Sequence, residues 1–197
     1  MEPNKTYPNI KLASRKDKAI IHKIIIDSFS HDEGFKWMLK ATKNPKKLEA
    51  LIDYIIDESF NKGFIYINDD HCGISIWQTQ KKEPFSINII TRSLKLLVSL
   101  KLVTLLRLIR FESLSHKQFP ATGEFVYLMN LAVLPNNRGK GYASELMNPI
   151  LDHYKSQNIS AFLETSNFDN ISLYKKKGFN LDKTVHFDSA SFYFMST

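Results

Sequence analysis

The sequence predicts an α/β fold in which one mixed β-sheet of about seven strands is flanked by helices. Short runs rich in β-branched and aromatic residues alternate with longer stretches whose apolar residues recur at helical spacing. The stretch from Phe125 to Glu164 has the order strand, helix, strand, which implies two parallel strands joined by a right-handed crossover. The 197 residues, of which 43% are hydrophobic and 24% charged, fit one domain over 1–197 with a single core.

The N-terminal third is predicted to contain a strand followed by two helices. Asn9 to Ala13 forms the strand. The first helix begins at Ser14, because a serine hydroxyl caps free N–H groups, and Asp17 places a carboxylate in its first turn. The second helix covers Pro45 to Asn61, where apolar residues line one face, and Gly63 follows its end.

A hairpin and a helical insertion come next. The predicted strands Phe64 to Ile67 and Gly73 to Gln78 are joined by a polar turn. The insertion covers about 84–123, between the third and fourth strands, and its helical stretch runs from Ile87 to Phe111. Basic residues interrupt that stretch, so it contains no apolar run of about 18 residues that could span a bilayer. Its periodicity fits two helices with a break near 99–101 better than one straight helix.

The C-terminal half continues the alternation of strands and helices. Pro149 lies inside the first of these helices, where we expect a kink because proline lacks an N–H. Gly178 is expected to end the second helix, since glycine readily takes the left-handed conformation there. The predicted elements are a strand over Phe125–Val133, a helix over Tyr142–Ser156, a strand over Ala161–Glu164, a helix over Asn170–Lys177 and strands over Phe179–His186 and Ser191–Met195.

Composition narrows the class of protein. One cysteine, Cys72, excludes an internal disulfide, and its place beside an apolar run suggests a buried thiol in a reducing compartment. No leader with a cleavage site opens the chain, so we expect a cytoplasmic protein without an integral membrane segment. The net charge of +7 suits nucleic acid, an anionic membrane surface or an anionic cofactor. Because no nucleic-acid reader motif and no paired histidine spacing are present, we expect neither nucleic acid nor a metal.

The glycine-containing stretch 138–143, between the fourth strand and the next helix, is the strongest functional signal. The first turn of a helix has unpaired N–H groups and the positive end of the macrodipole, and glycines allow a phosphate to approach them. Arg138 and Lys140 add charged side chains at the same place. The stretch therefore predicts an anion site.

Two other kinds of glycine loop fit this stretch less well. A Walker loop requires serine or threonine directly after its lysine, whereas Gly141 follows Lys140 here. A dinucleotide fingerprint agrees with Gly139 and Gly141, and with Glu164 about 20 residues past the loop. However, Ser144 occupies the position of the third glycine, and no second strand-helix-strand half follows.

Two signatures resemble the acetyl-CoA motifs of the GNAT superfamily of N-acetyltransferases. Arg138, Gly141 and Ala143 fill the specified positions of the Gln/Arg-x-x-Gly-x-Gly/Ala pattern. The second signature lies on the following strand and helix, and it departs from the family at Asn170, where alanine is usual. Its matching residues are Asn167, Ile171, Leu173, Tyr174, Gly178 and Phe179. Together with the order of the remaining elements, the two signatures imply the GNAT fold.

The resemblance implies acetyl-CoA as co-substrate, with no metal. In this family the central strand separates from the next strand, and the freed backbone groups bind the pantetheine arm. Main-chain N–H groups of the loop bind the pyrophosphate. The implied cofactor-binding residues are Leu131, Ala132, Val133, Arg138, Gly139, Lys140, Gly141, Tyr142, Ala143, Ser144, Asn167 and Tyr174.

The resemblance also suggests catalytic roles. Tyr174 matches the tyrosine near the CoA sulfur, so it is the expected general acid for the leaving thiolate. The general base stays open between Glu124, at the start of the central strand, and the loop His31-Asp32-Glu33, which would face the acceptor and supply the substrate contacts. Glu164, at the end of the next strand, is a further catalytic candidate that could instead orient a loop or contact the acceptor.

The expected reaction is acetyl transfer to the primary amine of a small molecule by direct attack. The insertion and residues 163–179 look like those of small-molecule acetyltransferases similar to antibiotic-modifying enzymes, which carry helices over the acceptor site. Alternatives are a non-catalytic acyl-CoA-binding module, an acetyltransferase for a protein or peptide amine, and a peripheral membrane or nucleic-acid binder. The insertion could also form a dimer interface or a membrane-surface helix, and both a monomer and a homodimer stay open.

Overall fold

One mixed sheet of eight strands organises the chain, and the computed structural model describes residues 3, 6–29, 32–39, 45–80, 102–119, 124–187 and 189–197. The strands are β1 (Thr6–Tyr7), β2 (Ile10–Leu12), β3 (Gly63–Asn68), β4 (Gly73–Gln80), β5 (Phe125–Val133), β6 (Ser160–Thr165), β7 (Asn180–His186) and β8 (Ser191–Ser196). The helices are α1 (Lys18–Phe29), α2 (Glu33–Leu39), α3 (Pro45–Lys62), α4 (Leu102–His116), α5 (Tyr142–Lys155) and α6 (Asn170–Lys175). Short 3-10 turns at Arg15–Asp17 and Pro135–Asn137 precede α1 and α5.

The strand order is β1-β2-β3-β4-β5-β6-β8-β7, and every neighbouring pair is antiparallel except β5 with β6. This parallel pair is the one predicted from the strand-helix-strand order, and the predicted α/β fold with a mixed sheet is confirmed. The additional strand beyond the predicted seven or so is β1, in which Thr6 pairs with Lys11 and Tyr7 with Ile10. A strand of two residues is too short to show alternation in the sequence.

The two central strands, β5 and β6, separate part way along their length. Their parallel ladder covers 125–128 of β5 and 160–163 of β6. A β-bulge lies at its end, because β4 pairs with Leu128 and Asn130 and skips Met129. Beyond this point β5 stays paired with β4 and β6 with β8. A gap therefore opens between the central strands, in agreement with the family resemblance.

Helices cover both faces of the sheet. On one face, Leu146, Met147 and Ile150 of α5 pack in one buried cluster with Ile171 and Tyr174 of α6. On the other face, isoleucines of α1 and α3 pack against isoleucines of β3 and β4. The buried isoleucines of that second cluster are Ile21, Ile24, Ile25, Ile52, Ile56, Ile65, Ile67, Ile74 and Ile76. The central strands are thus held between two apolar layers, and these fix the position of the gap.

The predicted hairpin is formed by β3 and β4, and its turn is built around the buried side chain of Asn68. The Asn68 Oδ1 accepts hydrogen bonds from the N–H groups of Cys72 at 3.0 Å and Gly73 at 2.8 Å. The Asn68 Nδ2 donates to the Cys72 Sγ at 3.2 Å. The thiol is only 4% exposed, so the buried cysteine expected from the sequence is confirmed.

The helix boundaries follow capping chemistry. The helix start predicted at Ser14 is a capping box, in which the Ser14 N–H donates to the Asp17 carboxylate at 2.7 Å. The polar loop expected at 31–34 is shorter than predicted, because α2 already begins at Glu33. The reason is that the Asp32 Oδ1 accepts the N–H of Phe35 at 2.7 Å and caps the helix. His31 lies outside the described residues.

Two expectations about helices are only partly tested. α5 continues through Pro149 as one helix to Lys155. α4 begins at Leu102, and both the break expected near 99–101 and the start of the insertion lie outside the described residues. Among the helices that the structure describes, none has the length and apolar character needed to cross a bilayer.

Gly63→Ala is expected to destabilise the protein by about 2 kcal/mol, because an added methyl group overpacks a strand pair. A Cβ at Gly63 would lie 2.1 Å from the carbonyl oxygen of Trp77, on the neighbouring strand β4. Urea unfolding monitored by circular dichroism measures the change in unfolding free energy. An unchanged unfolding midpoint would show that the two strands do not approach so closely.

Candidate active site

The loop between β5 and α5 is shaped by two glycines in the left-handed region. Gly139 has φ +76° and Gly141 has φ +90°, a conformation that side chains with a Cβ rarely adopt. A Cβ built at either position would meet no described atom within 4 Å. The loop surface at both glycines is therefore open on the side where a Cβ would point, which suits the close approach of a ligand to the backbone.

The head of α5 presents unpaired main-chain N–H groups next to these glycines. Gly141 is the N-cap residue, and its carbonyl accepts the N–H groups of Ser144 at 2.9 Å and Glu145 at 3.1 Å. The N–H groups of Tyr142 and Ala143 precede the first helical hydrogen bond, so the helix itself offers them no acceptor. Together with the macrodipole of this 14-residue helix, they form a site for an anion.

The side chain of Arg138 makes two contacts within the protein, and its role in cofactor binding stays a prediction. Its Nη2 donates to the carbonyl of Ser28 at 3.0 Å, and its Nε donates to the carbonyl of Val133 at 3.3 Å. The guanidinium thus ties the start of the loop to the last turn of α1, where a cation is favoured by the helix dipole. The side chain of Lys140, between the two glycines, is exposed.

Tyr142 anchors the head of α5 to the β3–β4 turn. Its hydroxyl donates to the Asp70 Oδ2 at 2.5 Å. This hydrogen bond, which needs the protonated tyrosine, raises the pKa of Tyr142 from 10.0 to about 12. The anion site is therefore held to the sheet from two sides, by Tyr142 and by Arg138.

The carboxylate of Glu164 lies at the end of β6, one residue past the last pair of the β5–β6 ladder. Its Oε1 accepts a short hydrogen bond from the hydroxyl of Tyr127 on β5. Its Oε2 lies 3.5 Å from the hydroxyl oxygen of Ser115, in the last turn of α4. Residues of the sheet and of the insertion thus meet at this carboxylate.

The carboxylate of Asp32 joins α2 to the loop that follows β6. The hydroxyl of Ser166 donates to it, with distances of 2.8 and 3.0 Å to its two oxygens. Gly34 makes the close packing possible, because a Cβ there would lie 2.6 Å from the Cβ of Ser166 and 2.9 Å from the ring of Phe192. Asp32 therefore belongs to a tightly packed contact at this end of the gap.

Tyr174 of α6 is buried in the apolar cluster that α5 and α6 form against the sheet. Its side chain is 6% exposed, and burial raises its pKa well above the ordinary range, with smaller contributions from the charges of Glu164 and Asp32. The hydroxyl is therefore protonated at neutral pH, as a general acid must be. Tyr174, Glu164 and Asp32 come from three different elements, and the charges of the two carboxylates reach the tyrosine.

Other residues singled out from the sequence lie elsewhere or make loop contacts. Glu124 is exposed and directly precedes β5, at the end of that strand that pairs with β6. Its role as a base stays a prediction. Glu33 is exposed on α2. Asn167 orders the loop after β6, since its Oδ1 accepts the N–H of Asp169 at 2.9 Å and its own N–H donates to Thr165. Among the described residues, no group of three metal-ligating side chains is present.

Tyr142→Phe is expected to change the pH dependence of stability. Because Asp70 stabilises the protonated tyrosine, this contribution to the folded state is complete below pH 10 and is lost as pH rises through about 12. The difference in unfolding free energy between wild type and the variant should therefore shrink over that interval. Urea unfolding at a series of alkaline pH values tests this, and a constant difference would contradict it.

The chain matches one family and several solved structures. Residues 103–179 match the model of the acetyltransferase (GNAT) family, a range that runs from α4 to just past α6. Among curated protein sequences, none matches the chain at a significant level. Solved structures with the same fold cover nearly the whole chain, although their sequence identities are low.

Three of these structures can be compared directly. A structure described as histone acetyltransferase HPA2 and related acetyltransferase, from Corynebacterium glutamicum, aligns with a TM-score of 0.69 and 19% identity. The alignment covers 100% of this chain and 96% of that chain. Arylalkylamine N-acetyltransferase 2 from Aedes aegypti has a TM-score of 0.69 and 11% identity, covering 95% and 97%. The polyamine N-acetyltransferase of Drosophila melanogaster has a TM-score of 0.65 and 12% identity, covering 95% and 98%. The glycine loop, the separated central strands and the similar solved structures lead to one conclusion: the chain has the GNAT acetyltransferase fold, and its residues 103–179 match the model of that family.

Proposed function

We propose that this acetyltransferase transfers the acetyl group of acetyl-CoA to the primary amine of a small molecule. The observation that carries the proposal is the gap between β5 and β6, which opens beyond residue 128 of β5, the strand that leads into the glycine loop at the head of α5. The proposal assigns anion binding by the loop and acid–base chemistry by Tyr174 and Glu164 to this one opening in the sheet. The small amine as acceptor is further supported by the arylalkylamine and polyamine N-acetyltransferases that share this fold.

The residues present fit the phosphate and pantetheine groups of acetyl-CoA. The N–H groups of 139–143 would hold the pyrophosphate, and the open surface at Gly139 and Gly141 leaves space for it. Residues 131–133 of β5 pair with β4 on one side and with no strand on the other, so alternate N–H and C=O groups face the gap, although the Val133 carbonyl also accepts the Arg138 Nε. Those groups match the amide groups of a pantetheine arm. Lys140 adds a cation near the phosphates, whereas Asn167 would act mainly by ordering the loop.

The side chains at the gap supply the proton transfers. Glu164 takes a proton from the incoming amine, whose nitrogen forms a bond to the thioester carbonyl carbon while the C–S bond breaks. Tyr174 donates its hydroxyl proton to the departing thiolate and regains a proton from solvent. The products are the acetylated amine and free CoA thiol. Asp32 and Glu33 lie on the α2 side, where the sequence predicts the acceptor.

A thiol-release screen tests the proposed function. Purified protein is mixed with acetyl-CoA and with arylalkylamines, polyamines and short peptides, and CoA release is measured. We expect release with at least one class of small amine. Release with peptides alone would contradict the small-molecule acceptor. Binding of acetyl-CoA without release across the whole panel would indicate a binding module in place of an enzyme.

Gly141→Asp is expected to weaken acetyl-CoA binding by about 100-fold or more, because it places a carboxylate where a phosphate should lie. Gly141→Asn is the matched control, since asparagine has nearly the same size without the charge and tolerates positive φ. Isothermal titration calorimetry measures both affinities. Equal affinities for the two variants would show that no phosphate lies against the head of α5.

Tyr174→Phe is expected to lower kcat by about 100-fold while the affinity for acetyl-CoA stays nearly unchanged, because only the donated proton is lost. The ring remains in its buried place against Phe179, 6.0 Å between centroids. Steady-state kinetics together with calorimetry separate the two effects. Wild-type turnover in the variant would remove Tyr174 from the mechanism.

A further inference from the structure

Each oxygen of the Glu164 carboxylate has a hydroxyl group within hydrogen-bonding distance, and the two hydroxyl groups come from two different elements. Tyr127 of β5 donates to Oε1, and Ser115 of α4 lies 3.5 Å from Oε2. In sequence these contacts span 37 and 49 residues. Tyr127, Ser115 and Glu164 are called here the Glu164 network.

The two hydroxyl groups are held in fixed positions. Tyr127 is 8% exposed, and Ser115 is 5% exposed. The ring of Tyr127 packs edge-on against Phe119 at 5.1 Å between centroids. On β5 it lies one residue before the end of the ladder, on the same face of the sheet as Glu164. The network therefore stands at the edge of the gap, and buried neighbours prevent its donors from turning away.

We propose that Tyr127 and Ser115 are positioning residues, which hold Glu164 as the proton acceptor for the incoming amine. This inference rests on the proposed function. It also assigns a role to the insertion, because α4 supplies Ser115 and thereby completes the active site. Of the roles that the sequence left open for the insertion, a part in the acceptor site is the one that this contact favours.

The chemistry of the network suits a proton acceptor. A carboxylate offers about four lone-pair sites, which is more than the two that these hydroxyl groups use. Donors to a carboxylate favour its charged form, which attracts the positive charge that develops on the nitrogen as the neutral amine attacks. During the transfer an N–H bond of the amine breaks and an O–H bond forms on Glu164. Tyr127 and Ser115 keep their own protons.

The neighbouring titratable groups have other roles. Asp32 accepts the hydroxyl of Ser166 and the N–H of Phe35, so its oxygens are engaged in capping α2 and closing the loop contact. Tyr174 of α6 is buried and protonated. In the proposed reaction Glu164 takes a proton from the amine and Tyr174 gives a proton to the thiolate, so the two groups carry out separate proton transfers.

The test is the pH profile of kcat/KM for the amine in Tyr127→Phe. Loss of the donor makes the carboxylate easier to protonate, so the acidic limb should move to higher pH by about one unit. kcat on the plateau should fall by about tenfold or more, since the carboxylate is less well oriented, while the KM for acetyl-CoA stays the same. Ser115→Ala should move the limb in the same direction by less, because its contact is longer.

Two further variants complete the experiment. Glu164→Gln should remove the acidic limb and most of the turnover. Tyr54→Phe is the matched control, since it also deletes a buried hydroxyl, one that has no hydrogen-bond partner among the described residues. Its profile should superimpose on that of wild type.

The outcomes separate the inference from the proposed function. Failure of wild type to release thiol with any amine would overturn the proposed function. An active wild type with an inactive Glu164→Gln, but with Tyr127→Phe following the wild-type profile, would overturn the positioning role alone. An independent readout is the 13C resonance of the Glu164 carboxyl group, assigned by its loss in Glu164→Gln. We expect its titration to move to higher pH in Tyr127→Phe, and an unmoved titration would contradict the network even without turnover.

Discussion

The early end of the β5–β6 ladder is the constraint on which the rest of the structure depends. A strand without its neighbour leaves N–H and C=O groups that need other partners. In this chain the bulge at Met129 bends β5 where the pairing stops, and β8 continues to pair with β6 beyond it. The sheet therefore contains the opening while β5 and β6 each keep their other neighbouring strand. Backbone polar groups facing that opening are the natural partners of an extended, amide-containing ligand.

The two sides of this opening carry different chemistry because different helices cover them. On one side the head of α5, fixed by Tyr142 and Arg138, offers positive main-chain charge, and α6 places Tyr174 in an apolar cluster. On the other side α2 and α4 bring Asp32 and Ser115 toward the end of β6. A ligand with phosphates and an acceptor with a nitrogen would thus enter from separate directions.

Local signals in the sequence predicted most of the elements, the helix start at Ser14 and the glycine loop, because each depends on residues a few positions apart. The Glu164 network could not be predicted in this way, since its members are joined only by the folded sheet. Arg138 illustrates the same limit: its place in the motif gave no sign that its guanidinium bonds a carbonyl 110 residues away. The pattern of residues along β5 likewise gave no indication that Tyr127, unlike its apolar neighbours, bonds a carboxylate.

The position of Cys72 has a practical consequence for experiments on this molecule. It is the chain's sole sulfhydryl, and it is enclosed by the hairpin turn with Asn68 against its sulfur. A chromogenic disulfide reagent should therefore leave the native protein unmodified and react only with small thiols in the solution. Under denaturing conditions the same reagent should gain one equivalent per chain. The amount of reagent that a native sample takes up, relative to the denatured sample, therefore measures the fraction of molecules that are not correctly folded.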